Sequence, residues 1–207
     1  IGTLGLWEVN DPTRFGIVGL DDNSKITRFM EKPKPEEVFS NLINAGSYIF
    51  EDDIFDYILS GKSSIERDVF PLLAEKQMLN GQKFDGFFID SGTRSSWCDA
   101  VRTCIDNKRF SSGEICGKSW FDVPFGKVEE GSTIIDSMVG KDTEIMHSVV
   151  ENSTILSGTK VSKNVSIESC LIGKNVIIGK NSRLTNMIVD HGSIIPEDSI
   201  LNDGQWP

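Results

Sequence analysis

From Ile155 to Leu201 an apolar residue returns every five or six positions: Ile155, Val161, Ile167, Ile172, Ile178, Leu184, Val189, Ile195 and Leu201, in steps of 6, 6, 5, 6, 6, 5, 6 and 6. Three steps make seventeen residues, so the repeating unit has three short faces. A helix needs apolar residues at a period near 3.6 and a half-buried strand at a period of 2; this beat serves neither. It suits a triangular coil in which each face sends one side chain inward and successive coils stack at strand spacing, about 4.8 Å. Four positions after the inward residues come small or β-branched ones, Thr159, Val165, Leu171, Val176, Ser182, Ile188, Ser193 and Ser199, and Gly173 and Gly179 directly follow inward positions. Tight corners call for Gly, Asn and Asp. Val128, Ile134, Val139, Ile145 and Val150 carry the pattern upstream less regularly. One coil alone has nothing to bury its inner face against, so the coils must form together.

The repeat resembles the left-handed hexapeptide β-helix. The handedness comes from that resemblance only, because parallel crossovers are usually right-handed. Residues before it have another texture. Strands are predicted at Ile1–Val9, Gly16–Leu20, Lys25–Met30, Leu42–Glu51 and Phe84–Ile89. Helices are predicted from Asp52 or Asp53 to about Leu59, from Ser64 to about Gln77, and from Thr93 or Ser95 to about Lys108. Alternating strands and helices mean an α/β layer structure. Phe110–Phe125 holds Gly and Pro and no sustained period, which divides the chain into 1–108, a connector at 109–126, and the β-helix at 127–207.

The 207 residues carry a net charge of -10, which argues against a nucleic-acid binder, since no basic excess exists to displace counterions. No apolar run is long enough to cross a bilayer as a helix. Cys98, Cys104, Cys116 and Cys170 match no zinc spacing and are too few for a disulfide scaffold, so free thiols in a reducing cytoplasm are expected. Asn152-Ser153-Thr154 and Asn164-Val165-Ser166 fit the glycosylation pattern by chance, with no secretory signal beside them. Ile1 is not a methionine and opens in mid-strand, which predicts that the chain is truncated, by design, proteolysis or processing.

Four short segments before the repeat could carry chemistry. Gly16, in Arg14-Phe15-Gly16, would let backbone approach a ligand. In Glu31-Lys32-Pro33 a carboxylate and an ammonium are fixed by the proline, an acceptor for a hydroxyl beside a counter-charge for a phosphate. Asn44-Ala45-Gly46 sits in an apolar strand, where an asparagine must find partners. Asp90, in Asp90-Ser91-Gly92-Thr93, lies where a predicted strand meets a helix, a usual place for ligands of α/β sheets and a possible ligand for a hard cation. Each has an ordinary reading as well: a turn glycine, a solvated charge pair, a backbone-satisfied asparagine, a helix cap.

Their order, with Asp11-Pro12-Thr13 ahead of Arg14, Ser64-Ile65-Glu66-Arg67-Asp68-Val69-Phe70-Pro71 between, and Gly86-Phe87-Phe88-Ile89 ahead of Asp90, resembles the sugar-phosphate nucleotidyltransferase family. The Ser64-Ile65-Glu66 segment is most similar to mannose-1-phosphate guanylyltransferases. The resemblance spans nearly the whole chain, since many such enzymes end in a hexapeptide β-helix. It implies a partial nucleotidyltransferase domain with a Rossmann-like mixed sheet. It further implies that Gly16 faces a sugar, that Glu31 accepts from its hydroxyls, that Lys32 holds its phosphate as the catalytic cation, and that Asn44 and Gly46 line its pocket. Asp90 would be one of two aspartates on a catalytic Mg²⁺. The implied reaction joins a sugar 1-phosphate to an NTP, here mannose 1-phosphate and GTP, with release of pyrophosphate. The family's Gly-rich phosphate loop and its second aspartate have no counterpart in these residues, so this chain alone is expected to be inactive. Phe88 stands where a tryptophan is often found. Two other readings compete. One is an acyltransferase using His147 or His191 as base. The other is a non-catalytic regulatory or assembly subunit, with homo-oligomers formed through the β-helix.

Overall fold

In the computed structural model, which describes residues 1–207, the chain divides into two units, Ile1–Phe88 and Ile89–Pro207. The first is a mixed sheet of five strands: β1 (Gly2–Glu8), β2 (Gly16–Leu20), β3 (Ile26–Glu31), β4 (Leu42–Phe50) and β5 (Leu79–Lys83), in the order β3-β2-β4-β1-β5. Only β1 and β5 run parallel. One face is apolar through Leu4, Leu6, Val18 and Phe29, and helix α1 (Phe70–Glu75) covers it with Phe70 and Leu73, all nearly or fully buried. Phe70 meets the edges of Phe29 and Tyr48, ring centroids 5.2 Å apart in each case, a favoured aromatic geometry.

Three local expectations are corrected. The helix from Ser64 forms as one wide π turn over Ile65–Val69 followed by α1, because Pro71 has no N–H to give to the preceding turn. Its start holds: Ser64 accepts from the Arg67 amide at 3.3 Å, and Asp68, in place of an acid at the third position, accepts from the Ser64 amide at 2.7 Å. The Asp52 segment is a 3₁₀ turn, Asp52–Tyr57. The last strand of the sheet is the polar Leu79–Lys83 and not the aromatic Phe84–Ile89. Gly81 explains the exchange, since a Cβ there would run into Leu6 Cδ1 and hold β5 away from the core. Phe84 and Phe87 stay exposed.

The second unit is a parallel β-solenoid with helix α2 (Arg94–Asp106) and a hairpin of β6 (Glu114–Cys116) and β7 (Ser119–Phe121) before its first coils. Each face is a ladder of short strands about one seventeen-residue repeat apart: Thr154, Leu171 and Ile188 on one, Lys160, Ile177 and Ile194 on the next, Ser166, Arg183 and Ile200 on the third. The inward residues Ile155, Val161, Ile167, Ile172, Ile178, Leu184, Val189 and Ile195 are all buried, each contributing about 1.5–3 kcal/mol. Val128, at the irregular start, is exposed.

The second inward position follows a different count from the expected one. It lies two residues before each inward apolar residue, so the five-residue steps place Cys170 and Met187 inside, while Leu171 is only half-buried and Ile188 is exposed. Ser137, Thr143, Ser148, Ser153, Thr159 and Ser182 occupy the same position and are buried. Their hydroxyls take amides of the next coil: Ser137 from Ser153, Ser153 from Cys170, Ser148 from Val165, Thr159 from Val176, at 2.9–3.2 Å. A small polar residue is thus used to satisfy a buried N–H at a corner where no strand amide ladder continues. Corners take left-handed backbone, φ between 39° and 85° at residues from Gly131 through Asn152, Ser169 and Asn186 to Asp203, which is why Asn, Asp and Gly fill nearly all of them.

Candidate functional site

Gly16 and Glu31 pair across β2 and β3 at the sheet end. A Cβ on Gly16 would stand 2.6 Å from Phe29 Cζ and 2.8 Å from Glu31 Oε2. Only glycine lets the carboxylate fold across the strand, and the Glu31 side chain is accordingly 16% exposed. Lys32 is the opposite, 59% exposed, with Nζ 3.7 Å from Glu31 Oε1. Its φ is 47°, just before Pro33. Lysine has no preference for left-handed backbone, and a following proline favours extended residues. The conformation is imposed by the Lys32 amide, which donates to the Phe15 carbonyl at 3.0 Å. Backbone strain of this kind, about 1–3 kcal/mol, persists only where surroundings enforce it.

In β4 the register against β1 slips: Leu6 faces Asn44 and Leu4 faces Tyr48, so Ala45, Gly46 and Ser47 oppose Gly5 alone. The bulge has a chemical consequence. Asn44 Nδ2 donates to the Tyr48 hydroxyl at 2.7 Å, and Asn44 Oδ1 accepts the Gly46 amide at 3.0 Å. Gly46 takes φ of 76° with open space where a Cβ would be, so its glycine is needed for conformation and leaves room above it. Burial pushes the Tyr48 phenol above its ordinary pKa, and the charges of Glu66 and Glu31 push the same way, while the Asn44 hydrogen bond opposes them. Tyr48 therefore holds the Asn44 side chain across the bulge, within the field of the Glu66 and Glu31 carboxylates. Sequence reading missed Tyr48 as the partner of Asn44; the available signal was the Asn44 to Tyr48 spacing, four residues with a glycine between. Phe88 stacks on Trp7 at 6.0 Å and meets Phe15 edge-on at 6.1 Å, an aromatic wall next to Gly16 in sequence.

Gly16, Glu31, Lys32, Asn44 and Gly46 all belong to the first unit. Asp90 belongs to the second, where its Oδ1 accepts the Gly92 amide at 3.2 Å ahead of helix α2. No three His, Cys, Asp or Glu side chains gather anywhere in the chain. Mg²⁺ asks for near-octahedral oxygen coordination, and this chain offers Asp90 at most. Its own residues do not form a cation site.

The two histidines differ. His191 Nδ1 accepts the Lys174 amide at 2.8 Å, so the neutral ring carries its proton on Nε2 and is a donor, not a base. It borders a groove of about 530 Å³ lined by Trp97, Leu156, Leu171 and Ile188. His147 Nδ1 lies 2.8 Å from Glu129 Oε2, and Lys127 with His147 holds the Glu129 carboxyl below its ordinary range. That pair has the form of a base with its orienting acid, and it is exposed. The base and the groove beside His191 are separate in this chain.

Comparison with known proteins adds lineage to this geometry. The nucleotidyl transferase family model matches residues 1–107, and a model of the GlmU-like C-terminal hexapeptide region matches residues 123–202. Among curated relatives, the mannose-1-phosphate guanylyltransferase catalytic subunit beta of Drosophila melanogaster is 31% identical over 99% of this chain and 57% of its own length. The same-named subunit of Danio rerio is 30% identical over 98% and 57%, and mannose-1-phosphate guanylyltransferase 1 of Arabidopsis thaliana 27% over 95% and 56%. The chain thus spans a little over half the length of the relatives it matches. With 107 of its 207 residues matched by one family model, this chain belongs to the nucleotidyl transferase family.

Proposed function

We propose that this chain is part of an enzyme that transfers a nucleotidyl group from an NTP to a sugar 1-phosphate and releases pyrophosphate, with GTP and mannose 1-phosphate as the pair the named relatives suggest. The observation that carries it is the Glu31–Lys32 pair. A shielded carboxylate folded over Gly16 is set to accept from sugar hydroxyls, and an exposed ammonium on a strained backbone is set to meet a phosphate. Lys32 would neutralise charge on the attacking phosphate, the positioning and electrostatic work on which phosphoryl transfer depends. Asn44 and Gly46 would frame the sugar, Asn44 held in orientation by Tyr48. Asp90 would supply one ligand to a divalent cation such as Mg²⁺, the others coming from outside these residues.

We assign the transferase portion to 1–108 and the β-helix to 127–207, a division that the family matches over 1–107 and 123–202 support, while helix α2 packs with the solenoid. No helix is long and apolar enough to cross a membrane, and four unpaired cysteines suit a reducing cytoplasm. Outward Ile177, Ile194 and Ile200 make the solenoid the surface for self-association.

The full-length protein, given Mg²⁺, GTP and mannose 1-phosphate, should release pyrophosphate, and the 207-residue chain alone should not. Lys32→Ala in the full-length protein should lower kcat/KM by about 10²-fold, as loss of one charge-stabilising group does. A full-length enzyme without pyrophosphate release, or one indifferent to Lys32→Ala, overturns the reading.

A further inference from the structure

Helix α2 lies along one corner of the solenoid, and three of its side chains reach that corner. Arg94 Nη1 donates to the Ser169 carbonyl at 2.5 Å and to Asn186 Oδ1 at 3.0 Å. Trp97 Nε1 donates to Thr154 Oγ1 at 3.0 Å. Arg102 Nη2 donates to Asn152 Oδ1 at 2.6 Å, and Asn152 Nδ2 in turn donates to Ser169 Oγ at 3.0 Å. Asn152, Ser169 and Asn186 occupy the same corner of successive coils, each in left-handed backbone at φ of 45°, 52° and 56°. The spacings match. Eight residues of helix from Arg94 to Arg102 rise about 12 Å, and two coil spacings from Asn152 to Asn186 make about 10 Å. The helix therefore runs antiparallel to the stack, with one arginine at each end of a three-coil ledge.

The helix buries Cys98, Val101 and Ile105, yet its docking is not perfectly satisfied. Arg102 Nε is buried with no acceptor, which costs about 1–3 kcal/mol. What the ledge fixes is the segment in front of the helix. Thr93 caps α2, taking the Ser96 amide at 3.2 Å while Ser96 Oγ takes the Thr93 amide at 3.1 Å. Gly92 donates to Asp90 at 3.2 Å. Every residue between Arg94 and Asp90 except Ser91 is thus tied by a hydrogen bond.

We propose that the Asn152–Ser169–Asn186 corner is a positioning element, which through Arg94 and the Thr93 cap sets the place of the Asp90 carboxylate. The anchor stands on the geometry alone; its consequence for turnover rests on the transferase reading. The repeat is then more than a stack, because one of its corners holds the segment that carries Asp90, and Arg94 and Asn186 are positioning residues without touching substrate.

Amide hydrogen exchange on the full-length protein tests the anchor. Arg94→Ala and Asn186→Ala should each speed exchange at Gly92–Trp97 on the order of tenfold, the loss of a hydrogen bond to a charged group. The double variant should add little, and exchange at Gly173 and Gly179 should not change. Arg94→Lys should recover part of the protection, since it keeps a cationic donor without the guanidinium fork. In pyrophosphate release the same variants should lower kcat several-fold at unchanged KM for the sugar phosphate. Unchanged exchange at Gly92–Trp97, or a rise that appears only with a general rise across the coils, overturns the anchor. Faster exchange with unaltered kcat overturns its link to turnover. A wild-type enzyme without pyrophosphate release sinks the transferase reading instead and leaves the exchange result to decide the anchor.

Discussion

The sheet of the first unit and the solenoid of the second use the same apolar residues under opposite rules. In the solenoid every position has equivalents one coil away: Val161 is to Ile178 what Ile178 is to Ile195. Most of its positions recur, and strain at the left-handed corners is absorbed by Asn, Asp and Gly everywhere but His147 and Ser169. In the sheet nothing repeats. Gly16, Lys32 and the Asn44 bulge each break a local rule once, and they do so close to one another. Regularity marks the scaffold, and three of the sheet's departures from it meet at the candidate site, while others, at Ser24, Gln77 and the Gly19–Leu20 register shift, do not.

The sharpest way to break this contrast is to cut buried surface from the repeating region and watch how far the damage travels. Ile178→Ala removes a fully buried inward residue and should cost about 2–5 kcal/mol. Because each coil is folded only against its neighbours, the loss should spread through the solenoid and appear as one lowered transition in urea. Amide exchange at Val161 and Ile195, the ladder neighbours of Ile178 on either side, should rise together. Loss confined to one coil would show that the coils are not a cooperative unit.

Lys32→Gly separates site from scaffold most cleanly. Glycine relieves the left-handed strain at φ of 47°, so the variant should be as stable as the parent or more stable by about 1 kcal/mol. Turnover in the full-length enzyme should still fall by about 10²-fold. A stability loss in thermal melting would show that Lys32 is held for packing and not for a ligand.

How far each region could be read from the residues follows the same division. The 6-6-5 beat located the inward residues because each was stated many times over. The count for the second inward position slipped at Leu171 and Ile188, since a five-residue step shortens the chain ahead of Cys170 and Met187. In the sheet, Gly16, Glu31 and Lys32 were legible as a cluster, but β5 was not. Its polar Asn80, Gly81 and Gln82 form a strand because Gly81 admits close approach to Leu6, while the aromatic run after it, which had the composition of a strand, stays on the surface. The tie from Asn44 to Tyr48 depends on a bulge that no period announces.

Gly46→Ala sharpens the comparison at smaller scale. The space is open but φ is 76°, so the cost should be about 1–2 kcal/mol from backbone alone. The same change at a solenoid corner with open space, Gly192→Ala at φ of 75°, should cost a similar amount in melting. Only the first should weaken binding of mannose 1-phosphate, measured by calorimetry on the full-length enzyme. Equal effects on binding would remove the distinction between the two regions.

The smallest effect concerns Cys170, the one rung of the small-residue ladder that titrates. Its thiol is fully buried, and burial raises its pKa from near 9 to about 11. The folded state therefore keeps a proton that the unfolded chain loses between those values. By linkage the stabilisation is complete below pH 9 and is lost as pH rises toward 11. Relative to Cys170→Ser, which keeps a small polar group on the Met187 amide but does not titrate, the parent should lose about 1 kcal/mol more between about pH 8 and pH 10. Parallel stability curves for the two proteins would mean that the coil opens locally to let the thiolate reach water, and that the solenoid interior is less uniform than its repeat implies.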